Sequence, residues 1–251
     1  MENKYGITKA TPSLPAIDLL RVPHKGKTLI VGYPAFGPNS YKDNLESVSR
    51  KYFHSKEIPK ISFRPATTSE SISIASYKFG EGGEFDAKRD IFDPRWLQAS
   101  YIVRTSDGVF MNTKETNEST LKSMLDKCEK VNGIYLGEND FAFADYKSFK
   151  QGVQNYVTFC KGGLARALEY TDKKVAENLR TITSPKNYKK GVNVWGFDKS
   201  AEPILRVATL SSGRILGDGR LGVDGINCVD FVGFAFGVAL LRKANNGARV
   251  N

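Results

Sequence analysis

The sequence predicts one α+β domain with a small twisted antiparallel sheet, flanking helices and long loops, on three observations. Short β-rich runs are scattered along the chain instead of alternating regularly with helices. A capped helix follows the segment Phe63-Arg64-Pro65-Ala66-Thr67, and the alternating residues Phe234, Phe236 and Val238 form a late strand suited to pair with an early one such as 29–31. The chain termini are therefore expected close together. The 251 residues fit a single domain spanning 1–251, since single cores stop growing at about 250–300 residues. Hydrophobic residues at 40%, with 15 Phe and 11 Tyr, exclude a disordered chain and a disulfide miniprotein.

Taken in order, Lys27-Thr-Leu-Ile-Val-Gly-Tyr33 reads as a buried strand that ends in a loop at Pro34, Gly37 and Pro38. Tyr41, Leu45, Val48 and Tyr52 recur at helical spacing over 39–53. Thr67 stands three residues before Glu70, a capping-box spacing that opens a helix through Ile72, Ala75 and Phe79. The turn Ser106-Asp107-Gly108 joins two β-rich runs, 101–103 and 109–111, into a hairpin. Residues 121–131 read as helix, broken by Asn132-Gly133 before strands at 134–136 and 141–143. The stretch 147–179 reads as mostly helix with a bend at Gly162-Gly163, and strands resume at 192–197 and 205–210. Seven of the chain's 23 glycines lie between 211 and 237, which excludes a long helix there.

Composition narrows the function classes. The chain contains no apolar run near the roughly 20 residues needed to span a bilayer, and its start lacks the basic and apolar regions of a signal peptide. No membrane insertion is expected, and the protein is placed in the cytoplasm or on a virus particle. Cys128, Cys160 and Cys228 are widely spaced without a CxxC, and His24 and His54 are the only histidines, which supplies a zinc site or a Ser-His-Asp triad poorly. No metal and no cofactor are expected. A net charge of +10 permits nucleic-acid contact through Lys173, Lys174, Lys186, Lys189 and Lys190. Clustered lysines more commonly form a solvated face, and 211–237 sets only Arg214 and Arg220 against Asp218, Asp224 and Asp230.

Local motifs read mainly as structure. Gly32-Tyr-Pro-Ala-Phe-Gly37 lacks the Lys-Ser/Thr of a phosphate loop. His24 and His54 sit among lysines and read as solvated; Glu138, Asp140 and Asp145 read as turn carboxylates outside calcium-loop spacing. Trp96 and Trp195 read as core, and Arg64 is placed to pair with a buried carboxylate or carbonyl near the helix start.

The order Phe63-Arg64-Pro65-Ala66-Thr67 followed by Glu70 resembles the strand-to-helix signature of the formylglycine-generating-enzyme branch of the C-type lectin fold. The end of the chain, LRVATLSSGRILGDGRLGVDGINCVDFVGFAFGVAL, resembles the C-terminal region of archaeal-type variable proteins of diversity-generating retroelements. The likeness covers about 61–79 and 192–241. It implies a C-type lectin fold and a binding protein, not an enzyme, whose variable region at about 205–240 is rewritten by reverse transcription that randomises template adenines. No Lys, Glu, Gln, Met or Trp occurs from 211 to 237, which agrees with adenine-directed codon change. The lectin calcium motifs are absent, and Cys228 is the only cysteine near the C-terminal end.

The implied ligand surface comprises Ser211, Ser212, Arg214, Ile215, Gly217, Asp218, Gly219, Arg220, Gly222, Asp224, Ile226, Asn227, Cys228, Val229, Asp230, Phe231 and Val232. Leu216, Leu221 and Val223 are expected to anchor it, Phe234 or Phe236 to be buried, and Phe231, Arg214 and Arg220 to grip the ligand, an unspecified protein or cell-surface molecule. The alternatives are a formylglycine-generating-type oxidase, which requires an activated thiolate and a second cysteine or copper ligands, and a basic nucleic-acid-binding protein.

Overall fold

Lys25 and Gly26, both at positive φ, close the first hairpin, so that β1 (Asp18–His24) returns as β2 (Lys27–Asn39). Such two-residue turns match the twist of the strands they join. The computed structural model describes residues 18–50, 52–53, 61–80, 88–92, 96–112, 117–212 and 219–240. Both chain ends, His54 and residues 213–218 lie outside them, so the expected closeness of the termini does too.

After β2 come α1 (Tyr41–Arg50), the short β3 (Tyr52–Phe53), β4 (Ile61–Pro65) and α2 (Thr68–Gly80). A π-helical turn at Lys88–Phe92 precedes the hairpin of β5 (Leu97–Arg104) and β6 (Gly108–Asn112). Then follow α3 (Glu118–Leu125), β7 (Glu129–Val131), β8 (Ile134–Leu136), β9 (Ala142–Asp145) and β10 (Gly152–Gln154). Three short helices, α4 (Tyr156–Lys161), α5 (Gly163–Glu169) and α6 (Glu177–Ile182), lead to β11 (Val192–Trp195). The chain closes with β12 (Ile204–Ser212), β13 (Leu221–Asn227) and β14 (Gly233–Leu240).

The α+β class holds, but the sheet is large and open, not small. Its main path runs β10-β11-β13-β12-β5-β6-β9-β8-β7, antiparallel except for the parallel pair β11 and β13. The late strand pairs with the early one as expected: β14 lies antiparallel to β2, with Val238 beside Val31 and Gly237 beside Gly32, and also flanks β4. Phe236 is fully buried in the main core with Val31, Ile72, Leu97 and Val223. Among the described residues no helix is long and apolar enough to cross a membrane.

Four expected elements differ. The helix over 39–53 ends at Arg50, and 52–53 pair with β4 as a short strand instead. The strand over 27–33 continues to Asn39 through Pro34 and Pro38, because register irregularities between β14 and β2 accommodate residues that lack an N–H. The helix over 121–131 stops at Leu125, because Asn132 and Gly133, both at positive φ, turn 129–131 back onto 134–136 as a hairpin. The helix over 147–179 is interrupted at both ends: 152–154 pair with β11, and only α4, α5 and the start of α6 remain helical. The bend does fall at Gly162, whose extended backbone ends α4 and opens α5.

Candidate functional site

β13 is threaded between β11 and β12, so its two faces meet different surroundings. Leu221 and Val223 are fully buried in the core, as expected of anchors. The opposite side was expected to be open, and for Ser211, Gly222, Asp224 and Asn227 the structure corrects this. All four are buried. Asp224 accepts hydrogen bonds from the Ile226 N–H (2.7 Å) and from Asn227 Nδ2 (3.0 Å), and Asn227 Nδ2 also donates to Thr209 Oγ1 (2.8 Å). Burial pushes the Asp224 carboxyl above its ordinary range, against the opposing effect of those two donors. A Cβ on Gly222 would come within 2.8 Å of Ser211 Oγ, so this pair is close-packed as well.

Exposure begins at the register irregularity between Asp224 and Asn227 in the β12–β13 ladder and continues into the connection beyond it. Ile226 is 50% and Val232 55% exposed, and Gly219, Cys228 and Asp230 also face solvent. Ser212, Arg220, Val229 and Phe231 are partly covered, whereas Arg214, Ile215, Leu216, Gly217 and Asp218 lie outside the described residues. The 228–232 connection is held from beneath. Its own turn is closed by the Phe231 N–H donating to the Cys228 carbonyl (3.0 Å). Gln98 Nε2 donates to the Phe231 carbonyl (2.6 Å), and Asn44 Nδ2 donates to both Gln98 Oε1 and the Gly233 carbonyl (2.7 Å each). Val229 packs on a cluster of Tyr41, Tyr101 and Val207, and the Phe231 ring meets Trp96 edge-on at 5.1 Å. Phe231, expected to grip the ligand, is thus partly exposed with its ring set against Trp96.

Trp195, expected in the core, is 38% exposed. It follows Val192 and Val194, both buried, at the odd position of an alternating strand, and it lies beside Asp224 in the β11–β13 register. It joins Ile226 as a large apolar group facing solvent at this end of the sheet.

No family model, curated protein or solved structure matches the chain.

A second concentration of polar groups forms where the β1–β2 turn meets α2. Arg64 reaches both carboxylate oxygens of Glu70 (2.7 and 2.6 Å), while Glu70 also accepts the Thr67 N–H (2.8 Å) and returns its own N–H to Thr67 Oγ1 (3.3 Å). The capping box and the pairing expected of Arg64 are thus one unit. Burial opposes ionisation of Glu70, but Arg64 and the Thr67 N–H outweigh it and hold the carboxyl below its ordinary range. Asp140 accepts from Ser69 Oγ (2.7 Å), and Lys25 Nζ donates to the Tyr170 carbonyl (3.0 Å) above the Tyr170 ring.

His24, expected to be solvated, is half-buried with Nδ1 2.9 Å from Ser73 Oγ. Burial and the neighbouring Lys25 charge lower its pKa. A neutral imidazole beside a hydroxyl has the form of a nucleophile pair, yet Ser73 is 5% exposed and also receives a bond from Asn178 (3.3 Å). Its hydroxyl is closed to a substrate, and the cluster acts as a clamp between hairpin, α2 and α6. The three thiols are free. Cys160 is buried against Thr183, with its pKa raised to about 11 by burial, and Cys128 donates to the Met124 carbonyl.

Proposed function

We propose that the protein is a target-recognition protein of C-type lectin type whose C-terminal surface is diversified by a retroelement, and that it binds a protein or cell-surface molecule through that surface. The observation that carries the reading is the division of β13 and the 228–232 connection into a hydrogen-bonded, buried framework and an exposed rim of Ile226, Cys228, Asp230 and Val232. A surface that tolerates change needs this separation, because exposed substitutions usually shift stability by less than about 0.5 kcal/mol. Three further features agree with the fold assignment: the early strand β2 paired antiparallel with the late strand β14, a capped α2 after β4, and the antiparallel run β5-β12-β13. Cys228 is exposed and stands alone in this segment, which favours binding over thiol oxidation.

A library varying Ile226, Cys228, Asp230 and Val232 together is expected to leave Tm within a few degrees of the parent while changing which displayed target is captured. The neighbouring DNA should hold a reverse-transcriptase gene and a near-copy of the 3′ coding end differing mainly at adenines. Unfolding of most library members would sink the binding surface, and DNA without those two features would sink its diversification.

A further inference from the structure

The far edge of the sheet carries a second surface that has no part in the reading above. β10 has β11 on one side and, among the described residues, no strand on the other. Beside it lies a groove of about 450 Å³ lined by Val153, Tyr156, Pro185, Tyr188, Lys189 and Lys190. Val153 is 60% exposed and the nearby Val157 41%, high values for β-branched apolar side chains next to an open strand edge. Lys189 and Lys190 are exposed, and among the described residues neither has a carboxylate within ion-pair distance.

We propose that this groove docks an extended segment of a partner protein in which a short apolar centre is flanked by Asp or Glu. The apolar floor accepts the centre. The two unpaired lysines accept the flanking carboxylates, and the outer edge of β10 offers backbone groups to an extended chain. Charge selects among occupants. A second copy of this chain, itself at +10, would bring like charge to the lysines. Nucleic acid would satisfy the charge, but single strands are held by stacking on several aromatic faces, and the most exposed large apolar side chains here, Val153 and Val157, are aliphatic, with Tyr156 only partly exposed. Tyr188 offers little, being 2% exposed.

The test uses the full chain and a fluorescent peptide with a central Val-Ile-Val and Asp-Glu at each end, followed by anisotropy at low and high salt. Binding that weakens with salt is expected, and Lys189→Glu with Lys190→Glu should weaken it about tenfold, which corresponds to about 1.4 kcal/mol. Val153→Asp should abolish it, and since all three positions are exposed, Tm should be unchanged in each variant. Three results overturn the proposal: no binding of this peptide at low salt, equal binding of a control carrying Lys at both ends, or tighter Lys189- and Lys190-dependent binding of an oligothymidylate. Sedimentation that reports a dimer lost on Val153→Asp would reassign the groove to self-association and overturn it too.

Discussion

Arg64→Ala is expected to destabilise the fold by about 2–3 kcal/mol, although the side chain is 38% exposed. The reason lies in what it leaves behind. Glu70 has a side-chain exposure of 8% and would remain in place as a carboxylate without its cation. Breaking a fully buried pair by removing one partner costs about 3–5 kcal/mol; water reaching the Arg64 side lowers the expectation. Glu70→Gln, which keeps an acceptor for the Thr67 N–H, should cost less than Arg64→Ala. The pH dependence has a definite sign. Because the folded carboxyl titrates below its unfolded value, its stabilisation is present above the unfolded pKa and disappears as pH falls through the folded one. In urea titrations at neutral and acidic pH the gap between parent and Arg64→Ala should therefore narrow on acidification. A neutral-pH loss below about 0.5 kcal/mol, the range of ordinary surface changes, would mean that the pair is only a surface contact.

The parts of the fold legible in the sequence are those encoded by strong local patterns. Thr67 and Glu70 at capping-box spacing specify the start of α2, and the hydrophobic alternation of Phe234, Phe236 and Val238 locates the strand that meets Val31. Asn132-Gly133 was legible as a break but not as the centre of a hairpin, since Glu129-Lys130-Val131 has no alternation of its own and becomes a strand only by pairing with 134–136. Trp195 carried its signal in plain alternation: Val192 and Val194 take the core face, leaving the next residue outside.

The candidate surface was half legible for a different reason. Asp224 and Asn227 belong to residue types that composition assigns to solvent, whereas here each satisfies the other. The available hint was the Asp two residues before a backbone donor, the pattern of a side chain that caps its own turn, which the Asp224 to Ile226 bond realises. What sequence spacing does not contain is the support of the adjoining connection. Gln98 and Asn44, far away in the chain, hold 228–232 in place through hydrogen bonds to the Phe231 and Gly233 carbonyls.

Asp224→Ala and Asn227→Ala should each cost about 2–3 kcal/mol, in contrast to the near-neutral changes expected at Ile226, Cys228, Asp230 and Val232. Truncating Asp224, 1% exposed, removes the acceptor of both the Ile226 N–H and the Asn227 amide, and each buried group left without a partner costs about 1–3 kcal/mol. Recovery of a buried charge's desolvation offsets part of this. Asn227→Ala leaves Thr209 Oγ1 and one Asp224 oxygen without their shared donor. Because the two residues touch, their double variant should cost less than the sum of the single ones. The pH signature runs opposite to that of Glu70. Burial raises the folded pKa of Asp224, so its contribution is greatest below the unfolded value and is lost as pH rises through the folded one. The stability of the parent relative to Asp224→Asn should therefore decline from acidic to neutral pH, measured by urea unfolding across that range. If both alanine variants instead melt with the parent, Asp224 and Asn227 are as free to vary as the rim, and the division between framework and recognition surface at β13 is wrong.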